Sequence, residues 1–293
     1  MKKILLSLLT ISILLPASEF QYGSGTLSMD GGFIGLTKSI DSDVTTYSLV
    51  ERHSNLFSSN IFYGYNFTWY DSKKLKQLQQ NYNSNINGIN NYFGDSGQLT
   101  IPSIEHRFKG LDANIELGYD VIHQDESNFL GLGLLLGVSL PWIDSSSNDD
   151  SSDSDYFKDS KTDIETYKIG SSINFQKTLI SDKLSIYGLG SLAYQTASIE
   201  NSYAKSKNSV NGTFQEYNIG LYYTPFTQKY DLGWFTLSPK LYATLGYKYT
   251  KWDFDDMIID ISGTQLNSDI LSPMKSKFGI DSSIGYLGIG YSF

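Results

Sequence analysis

The sequence has no cysteine, six prolines, three histidines and only 18% charged residues among its 293. Each shortage excludes something. Without cysteine there is no disulfide, no thiolate metal site and no thiol for a lipid anchor, so an exported chain draws its stability from elsewhere. Three histidines leave little material for acid–base chemistry. Past residue 18, no window holds 18 consecutive apolar residues, and mean hydropathy is −0.25, which excludes a bundle of membrane helices. Net charge is −9, an acidic balance that makes nucleic acid a poor partner. What is abundant is aromatic: 14% of residues, with 22 tyrosines.

The first residues read MKKILLSLLTISILLPASEF. Lys2 and Lys3 make a positive start, Ile4 to Leu15 an apolar run, and Ala17 and Ser18 a small-residue site. This is the order of a secretory signal peptide. Twelve apolar residues are too few to span a membrane comfortably. The expected organisation is a cleaved signal at 1–18 and one domain over 19–293.

Alternation dominates the remainder. In FLGLGLLLGVSLPW, residues 129–142, Leu130, Leu132, Leu134, Leu136, Val138, Leu140 and Trp142 share one face. Glycines and Ser139 fill much of the other. A period of two over that length is a strand. Leu111, Ala113, Ile115, Leu117, Tyr119 and Val121 repeat the pattern, as do Ile61, Tyr63, Tyr65, Phe67 and Trp69. Further sets run through Tyr167–Phe175, Tyr217–Tyr223, Phe235–Tyr249 and Leu287–Phe293; weaker strands lie near 26–38, 44–53 and 184–199. The count is about ten, and 8 to 12 fits the pattern. Short connections near 54–58, 124–128, 181–183 and 226–233 alternate with longer polar ones at 71–104, 144–162, 200–211 and 253–276. A tight turn is expected at 39–43. This predicts an all-β fold, a closed antiparallel up-and-down transmembrane β-barrel, with long loops outside and short turns in the periplasm. An even count places both termini in the periplasm. A soluble sandwich would show a polar outward face, not Leu, Tyr and Phe.

Trp69, Trp142 and Trp252 fall at expected outer strand ends and Trp234 at a periplasmic start, where an aromatic girdle belongs. The chain closes on Leu287, Ile289, Tyr291 and Phe293. Signal, meander and closing strand together resemble the bacterial outer-membrane β-barrel superfamily. That resemblance implies a Gram-negative outer membrane as the location and implies that the closing residues are an assembly signal read by the barrel assembly machinery. Outer-membrane lipid and lipopolysaccharide are then the surrounding partners. It implies no activity.

On the inward parity lie Asp30, Asp112, Glu116, Asp120 and Glu216, with Lys38, Arg52, Lys168, Lys240 and Lys248. Five acids against five bases in a narrow lumen predict paired networks, because an unpaired buried charge is costly. A largely occluded barrel is therefore expected, with a narrow porin-like channel for small polar solutes as the alternative. In 71–104, Leu75, Leu78, Tyr82, Ile86, Ile89 and Phe93 recur at helical spacing, predicting a short external helix over 72–82. Asp149, Asp150, Asp153 and Asp155 read as a solvated loop, since the Gly and distal Glu of a Ca²⁺ loop are missing. Omptin-type proteases and barrel lipases use histidines at the outer rim or along one strand face. Here His53 and Ser54 point to opposite faces, His123 sits at a periplasmic turn, and His106 has no acid near it on its own strand face, with Asp253 and Asp255 within conceivable reach across the rim. No catalytic residue, cofactor or metal is expected. The function expected is structural, or surface binding and adhesion through external loops, with an outer-rim hydrolase as a minority alternative.

Overall fold

The alternation becomes ten long strands in the computed structural model, which describes residues 19–33, 36–53, 60–77, 80–83, 98–101, 104–122, 128–147, 160–180, 183–201, 206–226, 228–231, 236–237, 240–257 and 276–291. The strands are β1 (Glu19–Phe33), β2 (Leu36–His53), β3 (Ile61–Ser72), β4 (Ile104–Asp120) and β5 (Asn128–Ser147). They continue as β6 (Ser160–Ile180), β7 (Leu184–Asn201), β8 (Ser206–Tyr223), β9 (Leu241–Met257) and β10 (Ser276–Tyr291). Each is antiparallel to its neighbours in sequence, and β10 pairs with β1 from Glu19↔Gly290 to Gly31↔Phe278. The wall is a closed ten-stranded meander without an open edge.

The lower end carries the short connections after β2, β4 and β6 and a longer one between β8 and β9. There Asp120 Oδ1 accepts the backbone N–H groups of Ile122 (3.0 Å) and Leu130 (3.3 Å), fixing the exit of β4 against the start of β5. The upper end carries the long excursions after β3, β5 and β9, but the longer connection expected at 200–211 is corrected, since β7 and β8 stay in register up to Asn201↔Ser206.

Three other expectations about elements are corrected. Residues 39–43 are strand, not turn: β1 and β2 stay in register up to Phe33↔Leu36, so the break lies between those residues. The 72–82 helix is replaced by strand. Leu75–Gln77 pairs with Ile104–His106, and Gln80–Asn83 pairs with Gln98–Ile101. Extending the β3–β4 hairpin supplies ladder partners that a lone, Asn-rich helix would lack. Leu78, Ile86, Ile89 and Phe93 lie outside the described residues. Below, Thr236–Leu237 belongs to a small ladder with Tyr230–Asp231, so the barrel strand starts only at Leu241.

The wall has two tiers. In the lower tier apolar side chains point outward: Leu134 is 67% exposed and Leu287 62%, with Ile115, Leu117, Ile169, Leu192 and Leu245 alike. Ile61–Trp69 and Leu111–Tyr119 span nine residues each, about the length that crosses a bilayer in a tilted strand. In the upper tier the polarity inverts while strand parity is kept. Phe108 points in between outward Arg107 and Lys109; Ile164 points in between Asp163 and Glu165; Trp252 and Phe254 point in among Lys251, Asp253 and Asp255. The inverted tier makes up on the order of 15–20 Å of wall. Its outside is charged and its inside is an apolar core, as in a water-soluble barrel.

Candidate functional site

The lower lumen is polar because most inward positions opposite the apolar belt carry Ser, Thr, Asn, Gln, Gly, Tyr or a charge, with Phe62, Leu135 and Ile284 among the apolar exceptions. Its centre is Asp112 on β4. Lys168 on β6 pairs with it at 2.5 Å, the two side chains 0% and 2% exposed. Asn114 Nδ2 donates to Asp112 Oδ2 at 2.7 Å, and Ser139 Oγ donates to Oδ1 at 2.5 Å. Gly137 makes room for this group: a Cβ there would lie 2.7 Å from Lys168 Cε. Glu116 accepts from Asn174 Nδ2 at 2.6 Å. Lys248 donates to Thr68 Oγ1 at 3.0 Å, and Thr68 in turn bonds Ser48 and Asn66 at 2.9 Å each. Glu216, 1% exposed, accepts from Asn66 Nδ2 at 3.4 Å and lies within coulombic reach of both Lys168 and Lys248.

Nearer the lower mouth, the Arg52 guanidinium lies 4.4 Å over the Tyr187 ring. Tyr187 and Tyr286 hydroxyls meet at 2.6 Å, and Tyr286 donates to Asn218 Oδ1 at 2.6 Å, so Tyr187 is the donor of that pair. Glu19 Oε1 accepts from Gln21 Nε2 and Thr244 Oγ1, both at 2.6 Å.

Above the network the lumen is filled. Leu27, Val44, Tyr70, Phe108, Ile164, Ala197, Phe214, Trp252 and Ile280 belong to one apolar cluster to which all ten strands contribute, with Leu135 and the packed Ile143 from β5. Leu27 and Phe214 are 0% exposed. Trp252 meets Tyr70 at 5.7 Å and Phe214 at 5.8 Å between ring centroids. The two tiers interlock: Lys168 Nζ lies 3.8 Å over the Phe214 ring, and the Trp252 indole N–H reaches down to Ser139. An apolar roof thus lies directly over a polar, charged floor.

The inward charges therefore fall into groups. Asp112, Glu116, Glu216, Lys168 and Lys248 come together in the lumen, and Arg52 lines its lower part. Asp120 binds the lower turn instead. Lys240 is corrected: it is an exposed turn residue just before β9, outside the lumen. The side chains of Asp30 and Lys38 lie outside the described set. Glu19 and Gln21 join the interior below the strand expected near 26–38; their inward parity with Gly23 is the signal that the sequence holds for them. Trp69 and Trp142 do form an outward pair, 5.3 Å apart. Trp252 is corrected from girdle to roof, because on β9 the even positions face inward along with Lys248. Trp234 and Phe293 lie outside the described residues, as do Asp149, Asp150, Asp153, Asp155 and His123; Leu287, Ile289 and Tyr291 point outward from β10.

At the upper rim His106 faces the interior, and burial holds its imidazole below the ordinary value. Asp253 and Asp255, the acids within conceivable reach of it across the rim, lie on the outer face of β9, and Asp253 binds Lys251 at 3.1 Å. Among the described residues no His, Cys, Asp and Glu group has metal-site geometry.

No family model matches the chain, and no curated protein does. Among solved structures it is similar to the outer membrane protease OmpT of Escherichia coli, at 10% identity over 94% of this chain and 96% of that one, TM-score 0.47. It is similar to the translocator domain of the autotransporter NalP of Neisseria meningitidis, at 10% identity over 100% and 95%, TM-score 0.38. It is also similar to Ail, the attachment invasion locus protein of Yersinia pestis, at 11% identity over 92% and 98%, TM-score 0.23.

Proposed function

We propose that this chain is an integral outer-membrane barrel of a Gram-negative bacterium, and that it works through its outer surface, as a structural or adhesive surface protein, while its lumen stays shut. The apolar roof carries the reading. Ten strands feed one cluster directly over a paired polar floor, so neither tier offers a hydrated path. The lipid-facing belt supports the location, since soluble proteins rarely expose so continuous an apolar band. The charged upper tier stands clear of the bilayer and presents the external loops. On this reading, residues 1–18 are removed on export, both strand ends below the belt face the periplasm, and the barrel needs no cofactor and is not an enzyme.

The narrow channel is the alternative the polar floor favours, and one experiment separates the two. Purified protein reconstituted in planar bilayers is expected to give no reproducible conductance step. A step of constant size in the unaltered protein overturns the sealed-lumen reading. For the rim hydrolase, peptide and lipid cleavage that disappears with His106→Ala overturns the non-enzymatic one.

A further inference from the structure

The β2–β3 ladder stops early. Its last backbone hydrogen bond is the Lys73 N–H donating to the Asp43 carbonyl at 2.8 Å, after which the chain at Leu75–Gln77 takes its ladder partners from β4. On the outer wall at this fork lies an open recess of about 280 Å³, lined among others by Tyr47, Asp71, Lys73, Lys74 and Arg107. Three cations and one carboxylate line it, and two further carboxylates, Asp43 and Glu105, flank it. Asp71 is already held by Arg107, whose Nε and Nη2 donate to it at 3.0 and 2.9 Å. Lys73 and Lys74 are 78% and 65% exposed, and each spends one ammonium donor, on Asp43 and on Glu105. A primary ammonium has three donors, so two on each point outward. Exposed pairs of this kind are weak and yield readily to a better anion.

Height matters as much as charge. The recess sits directly above the outward aromatics: Tyr47 packs against Tyr22 at 5.6 Å and Phe20 at 6.5 Å, and Trp69 is its register partner on β3. Elsewhere on the upper wall the described charges are mostly acidic, as on β9 and β10 with Asp253, Asp255 and Asp281. We propose that this recess binds the phosphate of a phosphorylated membrane glycolipid, the Lys73 and Lys74 ammoniums taking the anion while its acyl chains run down past Tyr47 and Tyr22. The ligand is a lipid, not free phosphate, because the cations and the lipid-facing rings form one continuous surface. The inference rests on the membrane reading above.

Full-length protein in detergent micelles is titrated with a bis-phosphorylated glucosamine acyl lipid and with the same lipid dephosphorylated, followed by native mass spectrometry. The phosphorylated lipid is expected to bind more tightly, and K73Q/K74Q to weaken it about tenfold while leaving the dephosphorylated lipid unchanged. Equal affinity for both lipids, or an unchanged double variant, overturns the site. So does an equal loss in Lys251→Gln, which removes a cation at similar height on another sector. Displacement by inorganic phosphate at matching concentration overturns the lipid source. Vesicle flotation is run alongside. Protein that fails to float refutes the membrane reading, whereas protein that floats without discriminating the lipids refutes only this site.

Discussion

The indole N–H of Trp252 on β9 donates to Ser139 Oγ on β5 at 3.0 Å, across the full width of the barrel. This bond joins the two tiers, because Ser139 is itself bound to Asp112 and Trp252 packs on Tyr70 and Phe214. The roof is thus keyed to the floor by one aromatic side chain with a polar edge.

Removing the roof should open the lumen. In F214A/W252A, two side chains of almost complete burial are lost, and the double variant is expected to show conductance steps in planar bilayers that the parent lacks. Each truncation should also cost about 3–5 kcal/mol of stability. A silent double variant that still shows its heat-dependent gel shift counts against the roof as the seal.

The Lys168–Asp112 pair should respond asymmetrically. Lys168→Met alone strands a buried carboxylate and should lower stability by about 3–5 kcal/mol, measured by urea unfolding of the refolded protein. Lys168→Met combined with Asp112→Asn should cost distinctly less than the single change. Equal losses would mean that charge burial is not what holds this centre.

Much of this was legible from residue order alone. Leu130 to Trp142 and Leu111 to Tyr119 announce a period-two wall, and Asp112, Glu116, Lys168 and Lys248 fall inside by parity. Trp252 did not, because a tryptophan near a strand end reads as girdle unless the parity of its own strand is carried through. The triplets Arg107-Phe108-Lys109 and Asp163-Ile164-Glu165 hold the sign that the pattern inverts, with the apolar residue now inside. Nothing local separates that inversion from ordinary alternation; only register against the neighbouring strands fixes it. The strand at Leu75–Gln77 was hidden for a similar reason, since its partner Ile104–His106 is about 30 residues away.

Gly246 should not accept a side chain. A Cβ there would lie 2.5 Å from Tyr286 Cζ and 2.7 Å from the Ile219 carbonyl, whereas one on Gly285 would meet only the Ser24 carbonyl at 3.9 Å. Gly246→Ala should reduce the refolded fraction on a heat-modifiability gel, and Gly285→Ala should not. Similar yields would show that Tyr286 can step aside.

The lower belt should reject charge. Leu134→Lys places an ammonium at mid-belt and is expected to cost about 2–4 kcal/mol. Glu200→Lys, on the upper tier, should be close to neutral. Equal tolerance in lipid vesicles would speak against Leu134 facing hydrocarbon.

His106 gives a pH dependence. Its folded imidazole holds a proton less readily than in the unfolded chain, where the value is about 6.5. Stability is therefore fully present above that pH and falls as the medium is acidified through the window below it, where the unfolded form gains the proton first. The unfolding temperature of the parent should drop more between pH 7 and pH 5 than that of His106→Gln. Parallel profiles would exclude His106 as the source.

The seam between β1 and β10 has a kinetic side. Thr244 donates to Glu19 across 225 residues of chain, and Glu19 lies in register with Gly290. The contact that shuts the ring is among the most distant in sequence, so closing it carries the largest loop entropy in the wall. Until then two unpaired strand borders are available to other chains, and the interval before closure is when this protein is most exposed to misassembly.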